Sequence, residues 1–316
     1  MSSAVRENPT LELQMRLDAA LDAAGTSIPL DVSTKLVGIH GEAERLIRAS
    51  RNRGERIAAQ TIKVKALLAH ADAAWGRGRS ARAVSELHEA TQAAESLGRF
   101  DLIAIGRRLQ ALTASHLGRP DRAMVFARGG LDALAMTDPA MTAPIRAAVL
   151  CEMARSIALV PGKDPNRARA LADEAVSIAQ NLPHTRRGPI GSNYHGFNLY
   201  EGHYYRAIVA ALNSDEDQYQ ADIEVFAPWA RKAGTQASYL TSIHLEGAAS
   251  KARRGEADGL LHDVEQAVKV APTPVTANQV IRAERVIVAA GTSAHTSRHS
   301  AEARTILGDW VRGFRP

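Results

Sequence analysis

Apolar residues recur every three or four positions along this chain, in segments separated by short polar or glycine-containing turns. That spacing places the apolar side chains on one face of an α-helix. The first two segments run from about residue 8 to 24 and from about residue 32 to a break at 51–54. Their apolar stripes are Leu13, Leu17, Ala20, Leu21 and Ala24, followed by Leu36, Ile39, Ala43 and Ile47.

The rest of the chain has the same periodicity and no run patterned as a β-strand, so it predicts further pairs of helices, here called A and B. The predicted pairs are 57–76 with 80–97, 101–117 with 120–136, 139–160 with 165–182, 195–213 with 215–233, 236–253 with 257–270, and 275–291 with 298–313. We therefore predict an all-α protein of about six to seven antiparallel helix hairpins. Residues 1–54 form capping helices, and residues 55–316 form one continuous array.

The turn between helices A and B repeats along the chain. Glycine follows helix A at Gly78 and Gly118, and looser copies of the turn contain Gly162 and Gly255. A recurring helix–turn–helix unit buries its apolar face only by stacking on its neighbours, which is typical of an α-solenoid. Such arrays usually present a long concave surface and bind other molecules.

Small residues at fixed distances from these turns resemble the tetratricopeptide repeat. The resemblance covers roughly residues 55–313, although Gly78 and Gly118 are 40 residues apart against about 34 in the family, and Leu260 occupies a position that is usually small. It implies a right-handed superhelix whose A helices line the concave groove. The chain is also similar to the sensor and interaction halves of bacterial, particularly actinobacterial, transcription regulators. The matching residues are Ala71, Gly78, Ala83, Ala90, Ala111, Gly118, Ala123, Gly130, Ala168, Ala175, Gly255, Ala267 and Pro272.

The composition agrees with a helical array and argues against several other classes. Alanine makes up nearly a fifth of the chain and aromatic residues 4%, which suits close helix packing. The single cysteine, Cys151, lies in an apolar helix and is expected to be a buried thiol in a cytoplasmic protein. The net charge of +5 is scattered over helix surfaces, so we expect no direct sequence-specific DNA binding. No apolar run is long enough to cross a membrane.

One segment differs from the rest of the chain in composition. No alanine occurs between Ala179 and Ala207, and this stretch contains four of the six tyrosines. Two interpretations remain open: bulky residues fill a gap in the core, or they form a ligand site covered by the loop 182–192. In the second case we expect substitution of Asn198 or Glu201 by alanine to weaken binding without changing the melting temperature. The predicted groove residues are Tyr194, His195, Asn198, Glu201, Tyr205, Arg206, Arg186, Arg187, Arg108 and His244.

No motif predicts catalysis, a metal or a cofactor. The histidines near residue 195 lack the spacing of metal ligands, and no phosphate-binding loop or serine elbow occurs. The A helices also offer basic groups that suit an acidic peptide or a carboxylate. Further groove positions implied by the family pattern are Lys65, Asp72, His116, Arg146 and Ser242.

We therefore expect a non-catalytic, regulatory binding module whose groove recognises a peptide, a protein or a small molecule. Two alternatives remain. The first is an enzyme or substrate-binding accessory of a specialised pathway that uses the polar and aromatic patch at 193–206. The second is a self-associating scaffold, for example a homodimer, with an apolar terminal face formed by Trp310, Val311 and Phe314.

Overall fold

The computed structural model describes residues 8–23, 29–160, 162–182, 197–233, 237–271, 275–292 and 297–313. Within these ranges the chain forms fourteen α-helices and no β-strand. The helices are α1 (Pro9–Ala23), α2 (Pro29–Ala49), α3 (Arg53–Gly76), α4 (Ser80–Ser96), α5 (Phe100–His116), α6 (Pro120–Leu134), α7 (Pro139–Ala158), α8 (Pro165–Gln180), α9 (Leu199–Asn213), α10 (Glu216–Ala233), α11 (Ala237–Arg254), α12 (Ala257–Val270), α13 (Ala277–Thr292) and α14 (Arg298–Arg312).

The helices pack as consecutive antiparallel pairs, so the predicted all-α hairpin array is confirmed. The odd-numbered helices from α3 to α13 are the predicted A helices, and each even-numbered helix that follows is its B helix. The largest differences from prediction are at α3, which begins at Arg53 rather than near residue 57, and at α9, which begins at Leu199 rather than near residue 195. The pair α1 and α2 shares one apolar core with α3, in which Leu17 and Leu36 are buried together with Ile62.

The turns after the A helices have one geometry. Gly78, Gly118, Gly162 and Gly255 all have positive φ angles, between 72° and 75°. After α3, α5 and α11 the backbone N–H two or three positions beyond the helix end bonds back to the carbonyl five residues earlier, as in Arg79 to Ala74. This is the Schellman termination, and its left-handed residue favours glycine. The repeated glycines in the sequence therefore mark repeated helix ends.

The small residues at the repeat positions lie where helices touch. Ala83, Ala123 and Ala168 have no solvent exposure. A Cβ atom at Gly130 would lie 3.2 Å from Val149 Cγ1, closer than ordinary packing allows. Leu260 is also buried, so the fifth repeat accommodates a larger side chain at this position. Pro272 lies outside the described residues.

The array turns back on itself, so its last hairpins reach its first repeat. Helix α13 contacts α3, and a Cβ atom at Gly78 would lie 3.3 Å from Ala277 Cβ. Arg285 of α13 donates hydrogen bonds to the carbonyls of Ser115 and His116 at the end of α5, over 3.1 and 2.7 Å. These contacts enclose the concave side of the array.

Two expectations about individual apolar residues have different outcomes. Cys151 is fully buried, as predicted. Val311 is buried in the core shared by α11 to α14, and Trp310 packs against that core, so Val311 cannot contribute to an apolar terminal face. Phe314 lies outside the described residues. Within the described ranges, no helix is both long and apolar enough to span a bilayer.

Candidate functional site

Charged and aromatic side chains from all six A helices of the array meet inside the enclosed space. The A helices pack against their own B helices on one side, which leaves the opposite side facing the interior. The resulting inner surface, a name used below for this set alone, consists of Trp75 on α3, Arg108 and His116 on α5, Glu152 and Arg155 on α7, Glu201, Tyr204 and Tyr205 on α9, Tyr239 and Glu246 on α11, and Arg282 and Arg285 on α13.

Arg108 is at the centre of this surface. Its Nη2 atom lies 3.4 Å from Glu201 Oε1 and 3.4 Å from the Tyr205 hydroxyl oxygen. Both distances are long for a charge-assisted hydrogen bond. The Tyr205 hydroxyl donates instead to Glu152 Oε1 over 2.5 Å. Arg108 is therefore held by charge but makes no short hydrogen bond to either neighbour.

The chain of alternating charges continues from Glu152 across three more helices. Arg155 Nη1 lies 3.7 Å from Glu152 Oε2, and Arg155 Nη2 lies 3.9 Å from Glu246 Oε1. Arg282 Nε donates to Glu246 Oε1 over 2.9 Å. Each charge has an opposite charge beside it, as burial requires. The links to Arg155 are nevertheless too long to be hydrogen bonds.

At the closing end of the interior, Trp75 packs against His116 with ring centroids 5.7 Å apart. His116 Nδ1 lies 2.9 Å from the Leu112 carbonyl oxygen, which can only accept, so Nδ1 carries the proton. Burial and the nearby charges of Arg155, Arg282 and Arg285 lower the pKa of His116 well below its usual value. The ring is therefore neutral, and Nε2 is a hydrogen-bond acceptor.

Several buried polar atoms of the inner surface have no hydrogen-bond partner among the described residues. Such atoms are few in most proteins because an unmade buried hydrogen bond destabilises the fold. Here they are concentrated on one surface, which indicates that packing alone did not select these residues. The atoms are Trp75 Nε1, Arg108 Nε, His116 Nε2, Glu152 Oε2, and Arg155 Nε and Nη2.

The electrostatic environment raises the pKa of the acid beside Arg108. Burial raises the pKa of Glu201 to about 7; Arg108 opposes this rise, and the charge of Glu152 adds to it. By contrast, Arg282 and Arg155 outweigh burial and lower the pKa of Glu246. The acids at the two ends of the interior therefore differ in how far the neighbouring arginine charges offset the effect of burial on their pKa values.

Nine of the ten predicted groove residues divide into three groups, and the tenth is Asn198. The structure brings Arg108, Glu201 and Tyr205 together. Arg206 instead binds Asp222 of α10 and Asp173 of α8, and His244 Nδ1 lies 3.5 Å from Asp263 Oδ1 of α12, so both side chains face B helices. The remaining predicted residues, Tyr194, His195, Arg186 and Arg187, lie outside the described residues.

Asn198 has a structural role that the sequence analysis missed, because it predicted that the helix starts before this residue. It precedes α9 in an extended conformation, and its Oδ1 accepts a hydrogen bond from the backbone N–H of Glu201 over 2.9 Å. It is thus the N-cap of α9, and an alanine there is expected to lower stability. The prediction that Asn198 lies on the helix face is therefore wrong, and we expect Asn198→Ala to lower the melting temperature rather than leave it unchanged.

Several inner-surface residues were missed by the sequence analysis. Glu152 and Arg155 lie three residues apart in one of the two most apolar A helices, and both are almost fully buried. An oppositely charged pair inside such a segment was the available signal, since charged residues are rarely buried unless paired. Arg146, on the same helix, forms an exposed pair with Glu174 of α8 instead.

Comparison with known proteins identifies the fold but not the role. No protein-family model matches the chain, and no curated protein is similar enough to count as a relative. The chain is similar to a solved structure of Rap protein complexed with Competence and Sporulation Factor, with a TM-score of 0.55 and 10% sequence identity. The match covers 97% of this chain and 88% of that chain. At this identity the likeness extends to the fold alone, and it agrees with a tetratricopeptide-like helical repeat over nearly the whole chain.

Proposed function

We propose that this protein is a non-catalytic regulatory module that binds a peptide, a protein segment or a small molecule against its inner surface. The observation that carries the proposal is the concentration of charged and aromatic groups from six A helices in one enclosed space. Buried polar atoms without partners destabilise a fold, and a bound ligand with complementary polar groups would remove that cost. The Rap protein of the similar structure was solved with a bound factor, which agrees with a binding role for this fold.

Arg108 is the residue on which we expect ligand affinity to depend most. Its side chain is 20% exposed, so it is reachable, and its two long contacts to Glu201 and Tyr205 are readily exchanged. Its neighbour Arg107 faces the other way and binds Glu95 over 2.9 Å. Consecutive residues of one helix therefore provide a variant and its matched control.

The test is native mass spectrometry of the protein purified from its own host. We expect the wild type and Arg107→Ala to retain the same compound or partner, and Arg108→Ala to lose most of it. Circular dichroism melting of both variants separates loss of binding from loss of folding. Equal retention by Arg108→Ala and Arg107→Ala, or no retained species in the wild type, would contradict the proposal.

One observation favours an enzyme as the second candidate. Glu201 has a pKa of about 7 and lies beside an arginine and a tyrosine, an environment suited to proton transfer near neutral pH. Incubation of the released compound with fresh protein distinguishes the two functions. A binding module returns the compound at unchanged mass, whereas an enzyme converts it and loses that activity in Glu201→Gln.

A further inference from the structure

An open groove of about 390 Å³ lies between helices α4, α5 and α6. It is separate from the inner surface, because it is lined by the B helix α6 and by Arg107 rather than Arg108. Val125 and Met136 line it, and they are the two most exposed large apolar side chains of the described residues, at 69% and 67%. Exposed apolar groups that gather in one place are typical of an interaction surface.

Gly129 leaves the floor of this groove empty. Glycine destabilises the interior of a helix relative to alanine, so a glycine there usually has a packing reason. Gly130 has such a reason, since a Cβ atom there would lie 3.2 Å from Val149 Cγ1. A Cβ atom at Gly129 would meet only the side chain of Arg107, at an ordinary contact distance of 3.8 Å. The protein therefore has room for a side chain at Gly129 and leaves that room unfilled.

Two opposite charges flank Val125 and Gly129 on α6. Arg122 lies over the ring of Phe126, 5.5 Å from its centroid, and Asp132 lines the groove on the other side. Both charged side chains are exposed, and neither forms an ion pair with a described residue. The spacing of residues 122, 125, 129 and 132 places all four on one face of the helix. This face thus presents a positive charge, an apolar side chain, an empty position and a negative charge, in that order.

The order of these four residues is complementary to itself. Arg122 and Asp132 lie five positions before and after Ala127, and Val125 and Gly129 lie two positions before and after it. When two copies of a helix pack antiparallel about a twofold axis, residues equally far from the axis become neighbours. An axis at Ala127 sets Arg122 of each copy beside Asp132 of the other, and Val125 of each copy over Gly129 of the other.

We propose that this protein forms a homodimer through α6, with the two copies of this helix packed antiparallel across the groove. The inference is independent of the proposed function, because the groove and the inner surface have no residue in common. A second copy is the favoured occupant because one symmetry operation gives both unpaired charges a partner and covers Val125. The other charges of α6, Asp121 and Arg128, face no like charge in this arrangement. One helix from each copy makes a small interface, so we expect a weak dimer that depends on concentration.

The experiment is analytical ultracentrifugation of the purified full chain over a wide range of concentration. We expect an equilibrium between monomer and dimer. Arg122→Asp sets two acidic groups side by side at both ends of the interface, and it should weaken dimerisation by about tenfold or more. Asp132→Arg should weaken it for the corresponding reason. The double variant with both changes restores the two pairs and should dimerise as the wild type does.

A second set of variants tests the contact between Val125 and Gly129. Gly129→Leu fills the floor of the groove and should prevent dimerisation. Its melting temperature, measured where the wild type is monomeric, should not fall, because the monomer has room for the side chain. Val125→Asp should also prevent dimerisation. Val288→Asp changes a valine of similar exposure, 64%, on α13, and as the matched control it should dimerise normally.

Three results would overturn the inference. A wild-type chain that stays monomeric at every concentration would leave the groove to a different partner. A dimer that neither Arg122→Asp nor Gly129→Leu weakens would have its interface elsewhere. A double variant that remains as weak as the single ones would show that Arg122 and Asp132 do not meet across the interface.

Discussion

Glu201 places a carboxyl group inside the array, where the protein opposes its ionisation. It is 6% exposed, and its neighbour Arg108 approaches only to 3.4 Å. Burial, therefore, outweighs the favourable charge, and the pKa of Glu201 rises from 4.5 to about 7. The folded protein consequently binds this proton more tightly than the unfolded chain does.

The pH dependence of stability follows from that difference. Because the folded pKa is the higher one, the free energy of unfolding should fall as the pH rises from about 4.5 to about 7, and it should level off above that range. The loss assigned to Glu201 should be about 3 kcal/mol at most, from 1.36 kcal/mol per pKa unit. Urea unfolding of the wild type and of Glu201→Gln over this pH range measures the loss as the difference between the two free energies of unfolding. Parallel curves for the two proteins would contradict the raised pKa.

At the scale of the helix, the turn after each A helix is the unit that repeats. Four glycines adopt the left-handed conformation there, and Ser214 takes the same position after α9 with a φ of 63°. The Asp215 N–H bonds back to the Ala210 carbonyl, so the fourth turn has the same geometry without glycine. A serine in this conformation is strained, because its Cβ crowds the backbone.

Ser214→Gly should therefore raise the free energy of unfolding by about 0.5–1 kcal/mol, the strain relieved less the extra entropy of a glycine. The reverse change at an equivalent turn, Gly118→Ser, should lower it by a comparable amount. Guanidinium unfolding of the two variants measures both values. A destabilised Ser214→Gly would mean that the hydroxyl of Ser214 stabilises the turn more than its backbone strains it.

The prediction from sequence was most accurate at this scale. Glycine turns and apolar stripes are local patterns, so twelve of the fourteen observed helix starts lie within three residues of the predicted ones, and those of α3 and α9 differ by four. The predicted start of α9 was wrong because the apolar stripe continues on the N-terminal side of the helix. Phe197 belongs to this stripe, and Asn198 follows it directly. Only the observed hydrogen bond from the Glu201 N–H identifies Asn198 as the cap.

At the scale of the whole molecule, the contact between the last hairpins and the first repeats determines the shape of the interior. Arg285 is the polar part of this contact, since it donates to two carbonyls at the end of α5. A cation at a helix C-terminus is favoured by the helix dipole. The contact joins residues 169 and 170 positions apart, so no local preference of the chain supports it.

Arg285→Ala should loosen this closure while leaving the helices intact. Small-angle scattering should show a larger radius of gyration, and the circular dichroism spectrum should not change. Arg298→Ala, an exposed arginine on α14, is the control and should leave both measurements as in the wild type. An unchanged radius in Arg285→Ala would mean that apolar contacts such as that between Gly78 and Ala277 hold the ring by themselves.

The amino-acid sequence by itself determined the helices, their pairing and the small residues at their contacts, because each depends on neighbours within about forty positions. It also singled out Arg108, Glu201 and Tyr205. Only the tertiary structure decided that these three meet and that Arg206 and His244 turn towards B helices. Those facts depend on the rotation of each repeat relative to the next, which accumulates over the array and is set by packing rather than by any local pattern.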